Sequence, residues 1–363
     1  MVRLTFSGAT LVATAAILAG GAAVHNRPGT AQSVDRIEQI HGQTVFVDMH
    51  SHPSRFHRAN VSRIEADELD RYRRGRIDLV VSKVSSDAIY SGRYVERDGT
   101  DVPARQYRPR PGEAFAFMLD RLARIDQTIA QGAAVLATSP EVVLEAKARG
   151  RLALMPALEG ADGLEGNLEN LRALHDRGLR LVQIVHFRAN ELGHIQTYPY
   201  SPGGLRPFGR DVVREANRLG IVIDLAHANT ETIMDTLQVS THPVIFSHTG
   251  VKALEDRDRH LSDEEIRAIA RGGGVIGIWP NGEALPRMDD MVRHIDYVAR
   301  LAGVDHVGIG SDLRGMSSYT EGFGEDANFL AIAEALLARG YSDEEVARVM
   351  GGNFFRVWQQ VSR

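Results

Sequence analysis

The feature that most restricts the fold of this chain is a regular alternation of two kinds of segment after residue 40. Short runs rich in Val, Ile, Leu and Ala, each of a length suited to one strand, alternate with longer segments. Most of the runs are almost continuously apolar, which is typical of parallel strands that are buried on both faces. The eight predicted strands are residues 44–49, 77–84, 152–158, 179–185, 221–226, 243–247, 274–279 and 306–311.

Several of the intervening segments have the apolar spacing of amphipathic helices. They are residues 168–176, 209–219, 262–270, 288–302 and 328–338. Ser262 with Glu265, and Ser342 with Glu345, match the pattern of a helix capping box. Eight strand–helix units in about 320 residues predict an α/β fold of the (β/α)8 TIM barrel type. An open doubly wound sheet is the alternative, but no Gly-x-Gly-x-x-Gly follows the first strand.

We expect one barrel domain over residues 32–363, with an insertion at about residues 85–150 that contains a helix near 112–131 and a weaker strand and helix at 133–149. Residues 1–31 differ from the rest, because Arg3 precedes a mainly apolar stretch and Gly21-Ala22-Ala23 and Gly29-Thr30-Ala31 suit a cleavage site. This pattern predicts an export signal, or else an uncleaved N-terminal anchor, and therefore a periplasmic or secreted protein.

Composition excludes several classes of function. The formal net charge is −5, whereas a nucleic-acid-binding domain is usually basic. The chain has no cysteine, so disulfides, thiolate metal sites and cysteine nucleophiles are excluded. Any metal ion must therefore be held by His, Asp or Glu side chains.

Side chains that bind metals follow six of the eight predicted strands. They are His50, His52, Glu159, His186, His227, His248 and Asp312. In a parallel barrel the C-terminal ends of the strands meet at one mouth, where functional residues sit. Each residue alone could be an ordinary loop residue, but together they predict a shared metal site.

This set of residue types suits hydrolysis of an amide or a related bond. A carboxylate between two groups of imidazoles can bridge two cations, which together activate a water molecule and polarise a carbonyl. A further carboxylate can take the proton from that water and pass it to the leaving amine.

From about residue 44 to 358, the chain resembles the membrane (renal-type) dipeptidase family of the amidohydrolase superfamily. The matching segments are Asp48-Met-His-Ser-His52, Ala157-Leu-Glu-Gly160, Gly178-Leu-Arg-Leu-Val-Gln-Ile-Val-His186, Gly204-Leu-Arg-Pro-Phe-Gly209, Asp224-Leu-Ala-His227, Pro243-Val-Ile-Phe-Ser-His248, Gly308-Ile-Gly-Ser-Asp312 and Gly352-Asn-Phe-Phe-Arg-Val357. They occur in the family's order over nearly the whole chain after the N-terminal segment.

The resemblance implies a centre with two zinc ions per chain. His50 and His52 would hold one zinc ion, His227 and His248 would hold the other, and Glu159 would bridge them.

The resemblance also assigns residues to the substrate. His186 would hydrogen-bond the developing oxyanion, and Asp312 would be the proton shuttle. Arg259 would grip the substrate carboxylate, with Arg257 as a competing candidate. A small dipeptide would be the substrate, and a homodimer would be the assembly.

Two positions depart from the family pattern. The family usually has Asp where this chain has His52, so the centre of this chain has one negative ligand charge less. The wider superfamily uses His-x-His at this strand, so metal binding is still expected. The family also tends to have Asp where this chain has Arg314, which changes the local charge by two units. Unless it points outward, Arg314 would bind substrate, reject a free α-amine and favour acidic or N-blocked substrates.

We therefore expect a zinc-dependent dipeptidase that hydrolyses small dipeptides with water activated by two metal ions. One alternative is a related hydrolase of N-acyl amino acids, lactams or other small carboxylated amides. Another is a non-hydrolytic protein that keeps the metal for binding or tailoring, but such a protein would not need the Asp312 proton shuttle.

Overall fold

The computed structural model describes residues 28–363 except 57–60, 92–95, 98–99, 102–107, 198–199 and 325. Its main sheet contains nine parallel strands, of which eight form a continuous path, each paired with the next. These eight are β1 Val47–Ser51, β2 Leu79–Ser85, β3 Ala153–Glu159, β4 Leu181–Gln183, β5 Val222–Asp224, β6 Ile245–Thr249, β7 Val275–Ile278 and β8 Val307–Ile309. All eight predicted strands are therefore confirmed, with bounds that differ from the predicted ones by one to three residues.

The first and last strands meet and close the sheet. Ser51 at the end of β1 forms a parallel bridge with Leu313, just beyond β8. Deeper in the same seam, the Asp48 carboxylate accepts hydrogen bonds from the Ser311 amide (2.8 Å) and the Ser311 hydroxyl (2.6 Å). The predicted (β/α)8 barrel is thus confirmed, and the alternative of an open doubly wound sheet is wrong.

Helices connect the strands. The α-helices of the described residues are α1 Pro28–Gln43, α2 Ala66–Arg74, α3 Glu113–Ala130, α4 Pro140–Ala148, α5 Leu168–Asp176, α6 Pro207–Leu219, α7 Thr230–Val239, α8 Asp263–Arg271, α9 Met288–Ala302, α10 Phe329–Arg339, α11 Asp343–Ala347 and α12 Asn353–Val361. Short 3₁₀ turns lie at Pro53–Arg55, Ser86–Ser91, Asp162–Leu164 and Val304–His306, and a π turn lies at Arg348–Gly352. Both predicted capping boxes are formed, at the starts of α8 and α11.

The segment between β2 and β3 contains α3, α4 and a two-residue strand, Val135–Leu136, which pairs with β3. A short antiparallel pair joins Glu96–Arg97 to Thr100–Asp101. The predicted export signal falls almost entirely outside the described residues, which begin at residue 28. In the part of the chain that is described, no helix combines the length and the apolar character needed to cross a membrane.

Every second side chain of a strand lies on the same face of the sheet. On one face, these side chains form a continuous layer from one mouth of the barrel to the other. At the N-terminal mouth this layer is apolar, and Val81, Met155 and Val222 form one cluster with Phe354 and Trp358 of α12. Because side chains alternate along a strand, the same face continues toward the C-terminal mouth. There it becomes polar and carries Lys83, Glu159, Gln183, Asp224 and Ser247.

A fully buried ion pair links strands on opposite sides of this polar layer. The Lys83 ammonium lies 2.7 Å from an Asp224 carboxylate oxygen and also donates to Gln183 Oε1 at 3.1 Å. The other Asp224 oxygen accepts from the amides of Ala226 (3.0 Å) and Ser247 (2.9 Å). The pair therefore holds the ends of β5 and β6 in the register that positions the residues beyond them.

Replacing Lys83 with Met is expected to lower the free energy of unfolding by about 3–5 kcal/mol, because it leaves a buried carboxylate without its cation. Denaturant unfolding with chelator present would measure the change. The double variant Lys83→Met with Asp224→Asn should recover part of the loss. Lys252→Met is the matched control, because the Lys252 side chain is 46% exposed and its ion pair with Asp256 is at the surface, so it should cost under about 1 kcal/mol. A small effect of Lys83→Met alone would contradict this prediction.

Candidate metal centre

The structure brings all seven predicted rim residues to the C-terminal mouth of the barrel, and each of them is buried. His50 lies inside β1 rather than beyond its end, because Ser51 still pairs with Ser82 after an irregularity in the strand. His248 likewise lies inside β6, and Glu159 is the last residue of β3. The remaining four, His52, His186, His227 and Asp312, come one to three residues after their strands.

Glu159 lies at the centre of this group. Its Oε1 is 3.2 Å from His50 Nε2, 3.3 Å from His186 Nε2 and 3.6 Å from His227 Nε2. Its Oε2 is 3.2 Å from His52 Nε2. Burial would raise the pKa of Glu159, but the surrounding imidazoles hold it well below its usual value. Glu159 is therefore a carboxylate with imidazoles on both of its oxygens.

Two groups of possible ligands flank Glu159. On one side, Asp312 Oδ1 is 3.7 Å from His50 Nε2 and 3.6 Å from His52 Nε2. On the other side, the Nε2 atoms of His227 and His248 are 3.2 Å apart. Three overlapping sets of ligand atoms fall within 4.8 Å of one another, namely His50–His52–Asp312, His50–Glu159–His248 and Glu159–His186–His227.

Unusual backbone conformations help to aim these groups. His227 and Asp312 have φ of 71° and 47°, in the left-handed region that non-glycine residues seldom adopt. Gly315 follows closely, and a Cβ atom there would lie 2.0 Å from Asp312 Oδ1. Only glycine therefore leaves room for the Asp312 carboxylate in this position.

The ring nitrogens fit metal binding. His52 Nδ1 donates to the Lys83 carbonyl at 3.0 Å, which leaves the His52 Nε2 lone pair facing Glu159. His50 Nε2, the nitrogen that faces Glu159, is buried and lacks a hydrogen-bond partner among the described residues. Such groups are rare without a ligand to satisfy them. Burial, the largest influence, lowers the pKa of His50 to about 3 and those of His227 and His248 well below 6.5. Neutral imidazole is the form that binds zinc-like ions.

His186 has a carboxylate partner that the sequence analysis missed. Asp87, in the 3₁₀ turn after β2, accepts from His186 Nδ1 at 2.7 Å and from the Phe187 amide at 3.1 Å. Burial alone would lower the pKa of His186, but Asp87 and Glu159 raise it to about 9. The rule used for the other strands would have found Asp87, because it follows the C-terminal end of β2.

Arg259 and Arg257 are placed differently. The Arg259 side chain is half-buried, donates to His248 Nε2 at 2.8 Å and contacts Gln196 Oε1. Arg257 pairs instead with Glu255, and its side chain is 41% exposed. A lone pair that accepts from Arg259 cannot at once bind a cation, so metal binding through His248 Nε2 requires the Arg259 side chain to shift.

Arg314 points inward and is paired. Its guanidinium lies 3.0 Å from Glu68 Oε2, so the predicted change of two charge units is partly offset. A cavity of about 370 Å³ lies over the centre, and Arg314, Arg259 and the exposed ring of Phe187 line it with the ligand candidates. Ser85, Trp279 and Asn281 also line this cavity and were not predicted from the sequence.

Comparison with known proteins gives the family. The membrane dipeptidase family (peptidase family M19) matches residues 34–363. The chain is 36% identical over 216 residues to Dipeptidase tcpJ of Claviceps purpurea, covering 56% of this chain and 51% of that protein. It therefore spans about half the length of that curated relative.

Solved structures show the same fold. The probable dipeptidase PvdM from Pseudomonas aeruginosa matches with a TM-score of 0.78 and 22% identity, over 92% of this chain and 99% of that one. A metallo peptidase from Rhodobacter sphaeroides, liganded with a phosphinate mimic of the dipeptide L-Ala-D-Ala, matches with a TM-score of 0.74 and 22% identity, over 88% and 99%. With the family match over almost the whole described chain, these findings show that the chain belongs to the membrane dipeptidase family.

Proposed function

We propose that this protein is a zinc-dependent dipeptidase that hydrolyses the amide bond of small dipeptides. The observation that carries the proposal is the position of Glu159, within 3.6 Å of four imidazole nitrogens at the functional mouth of a barrel. Membership of the dipeptidase family supports it. The phosphinate mimic of a dipeptide held by the Rhodobacter sphaeroides protein points to the same class of substrate.

The proposed ligands are the flanking groups described above. His50 and His52 would hold one zinc ion, His227 and His248 the other, and Glu159 would bridge the two. When bound, the two ions would supply an activated water molecule and polarise the scissile carbonyl.

The other residues act on the substrate. Arg259 offers a planar fork to the substrate carboxylate. His186, held by Asp87, donates from Nε2 to the oxygen that gains charge as the carbonyl is attacked. Asp312 takes the proton of the attacking water and returns it to the leaving amine. Burial, the largest influence, and Glu159 raise the pKa of Asp312 to about 7 against the opposing effect of His52, so this carboxylate takes up a proton more readily than a solvent-exposed one.

A second candidate substrate class has an observation in its favour. Among the described residues that line the cavity, the only carboxylates are Glu159 and Asp312, both already assigned to the centre. A free substrate ammonium would find no other anion there, and Arg314 lines the same cavity. N-acyl amino acids and other small carboxylated amides lack that ammonium and are therefore the alternative substrates.

The decisive experiment combines metal analysis with a matched substrate panel. We expect about two zinc ions per chain, hydrolysis of L-Ala-L-Ala or L-Ala-D-Ala, loss of activity with chelator and recovery with zinc. N-acetyl-L-alanine and N-acetyl dipeptides are assayed in parallel. Faster turnover of the N-acetyl compounds would favour the alternative substrates. A metal-loaded protein that hydrolyses none of these compounds would contradict both hydrolase proposals and support a binding role.

We also propose that the chain is exported, to the periplasm or beyond, with residues 1–31 as a signal or an N-terminal anchor. The apolar stretch behind Arg3 and the small residues that follow it support this location. Fractionation of cells that express the tagged full chain would test it, and retention in the cytoplasm would contradict it. The homodimer is likewise a proposal, which light scattering of the purified protein would test.

A further inference from the structure

One buried hydroxyl lies between two of the candidate metal ligands. Ser247 Oγ, on β6, is 3.0 Å from His50 Nδ1 and 3.0 Å from His248 Nδ1. All three residues are buried, and the two imidazole rings are 3.9 Å apart at their centroids. The two histidines are proposed to bind different cations, so a single side chain contacts both halves of the centre.

The contacts of His248 determine where its proton lies. Arginine can only donate hydrogen bonds, and an Arg259 N–H group points at His248 Nε2 from 2.8 Å. His248 Nε2 must therefore be an unprotonated acceptor. The ring proton of neutral His248 is then on Nδ1, from which it donates to Ser247 Oγ.

His50 is subject to a similar constraint. Its Nε2 makes no hydrogen bond among the described residues, although Glu159 Oε1 is 3.2 Å away, because the directions do not align. A proton on Nε2 would thus be a buried donor without a partner, which is costly. A proton on Nδ1 is satisfied by Ser247 Oγ at 3.0 Å.

The Ser247 oxygen can accept from both imidazoles. A serine hydroxyl has one donor and two acceptor positions, and the two Nδ1 protons would fill both acceptor positions. Asp224 accepts instead from the Ser247 backbone amide, at 2.9 Å.

We propose that Ser247 is a positioning residue shared by both halves of the metal centre. By accepting the Nδ1 protons of His50 and His248, it keeps both Nε2 lone pairs turned toward the cations. Asp224, which Lys83 holds at 2.7 Å, fixes the backbone at Ser247, because it accepts from the Ser247 amide at 2.9 Å. This inference rests on the proposed two-metal centre and adds a prediction that the centre alone does not make, namely that one change weakens both sites.

The test is zinc titration of Ser247→Ala. Partners of metal-binding histidines typically change affinity by about 10–100-fold, so we expect both stepwise dissociation constants to rise by about that factor. Ser82→Ala is the matched control, because Ser82 is equally buried on β2 but, among the described residues, its hydroxyl bonds only the Val80 carbonyl, at 3.5 Å. Denaturant unfolding of the metal-free proteins separates a general loss of stability from a loss of affinity.

A second measurement needs no variant. Ring ¹⁵N spectra of the zinc-loaded wild type should show His50 and His248 protonated at Nδ1. A proton on Nε2 of either ring would overturn the proposal. Two results for Ser247→Ala would also overturn it: binding of both zinc ions as tightly as Ser82→Ala binds them, or weaker binding at only one of the two sites. If the wild type itself binds no zinc, the proposed function fails together with this inference. If the wild type binds two zinc ions and only the results for Ser247 differ from those expected, this inference alone fails.

Discussion

Replacing Glu159 with glutamine is expected to release at least one of the two zinc ions and to lower kcat/KM for a dipeptide by about a thousandfold or more. Among the described residues, Glu159 is the only carboxylate with oxygen atoms within 3.6 Å of imidazoles from both proposed metal sites. Glutamine keeps its size but offers one neutral oxygen donor and no charge. Charge stabilisation by the metal is worth several kcal/mol, and each 1.36 kcal/mol corresponds to a tenfold change in rate.

Metal analysis and steady-state kinetics of the same preparation would measure both effects. Glu191→Gln is the control, because Glu191 is exposed on the loop that follows His186 at the same mouth. It should keep both zinc content and activity. A Glu159→Gln protein that retains two zinc ions and normal turnover would refute the assignment of Glu159 as the bridge.

Replacing Asp312 with asparagine is expected to abolish most turnover while leaving zinc in place. Asparagine has the same shape and still presents an oxygen toward His50 and His52, but it cannot carry a proton between the water and the leaving amine. Loss of a general acid–base group typically costs about 10²–10⁴ in rate. The contrast with Glu159→Gln is informative, because one variant should lose metal and the other should lose proton transfer.

For this variant kcat should fall at unchanged zinc content, measured by elemental analysis beside the assay. Asp289→Asn is the control, because Asp289 lies 62% exposed on α9 and pairs with Arg339. If Asp312→Asn loses its zinc, Asp312 is a ligand rather than a shuttle alone. If it hydrolyses dipeptides at the normal rate, the proposed shuttle is wrong.

Much of the fold follows from local patterns. The predicted bounds of α5 (168–176) and α9 (288–302) agree with the observed helices, because apolar spacing reports directly which face is buried. The observed strand bounds differ from the predicted ones by a few residues. In β1, for example, the strand continues to Ser51 because Ser51 pairs with β2, and no local pattern in the sequence shows this pairing. The seven rim residues could be chosen because parallel strands deliver their C-terminal ends to one mouth.

The partners of the rim residues could not be predicted in that way. Ser247 contacts His50 from 197 positions away, and Lys83 pairs with Asp224 across 141 positions. Arg314 lines the cavity, but the Glu68 carboxylate that pairs with it lies 246 positions away in the chain. Contacts of this kind depend on barrel closure and on strand register, which leave no trace in the spacing of neighbouring residues.

By itself, the sequence determined the class of fold, the mouth that carries the chemistry and the types of side chain gathered there, because periodicity and strand order are local properties that survive without coordinates. Only the tertiary structure decided that Glu159 stands between the two groups of imidazoles, that Arg259 rather than Arg257 faces the cavity, and that one hydroxyl serves two histidines. These are distances of about 3 Å between residues far apart in the chain, and they exist only once the barrel has closed and its interior has packed.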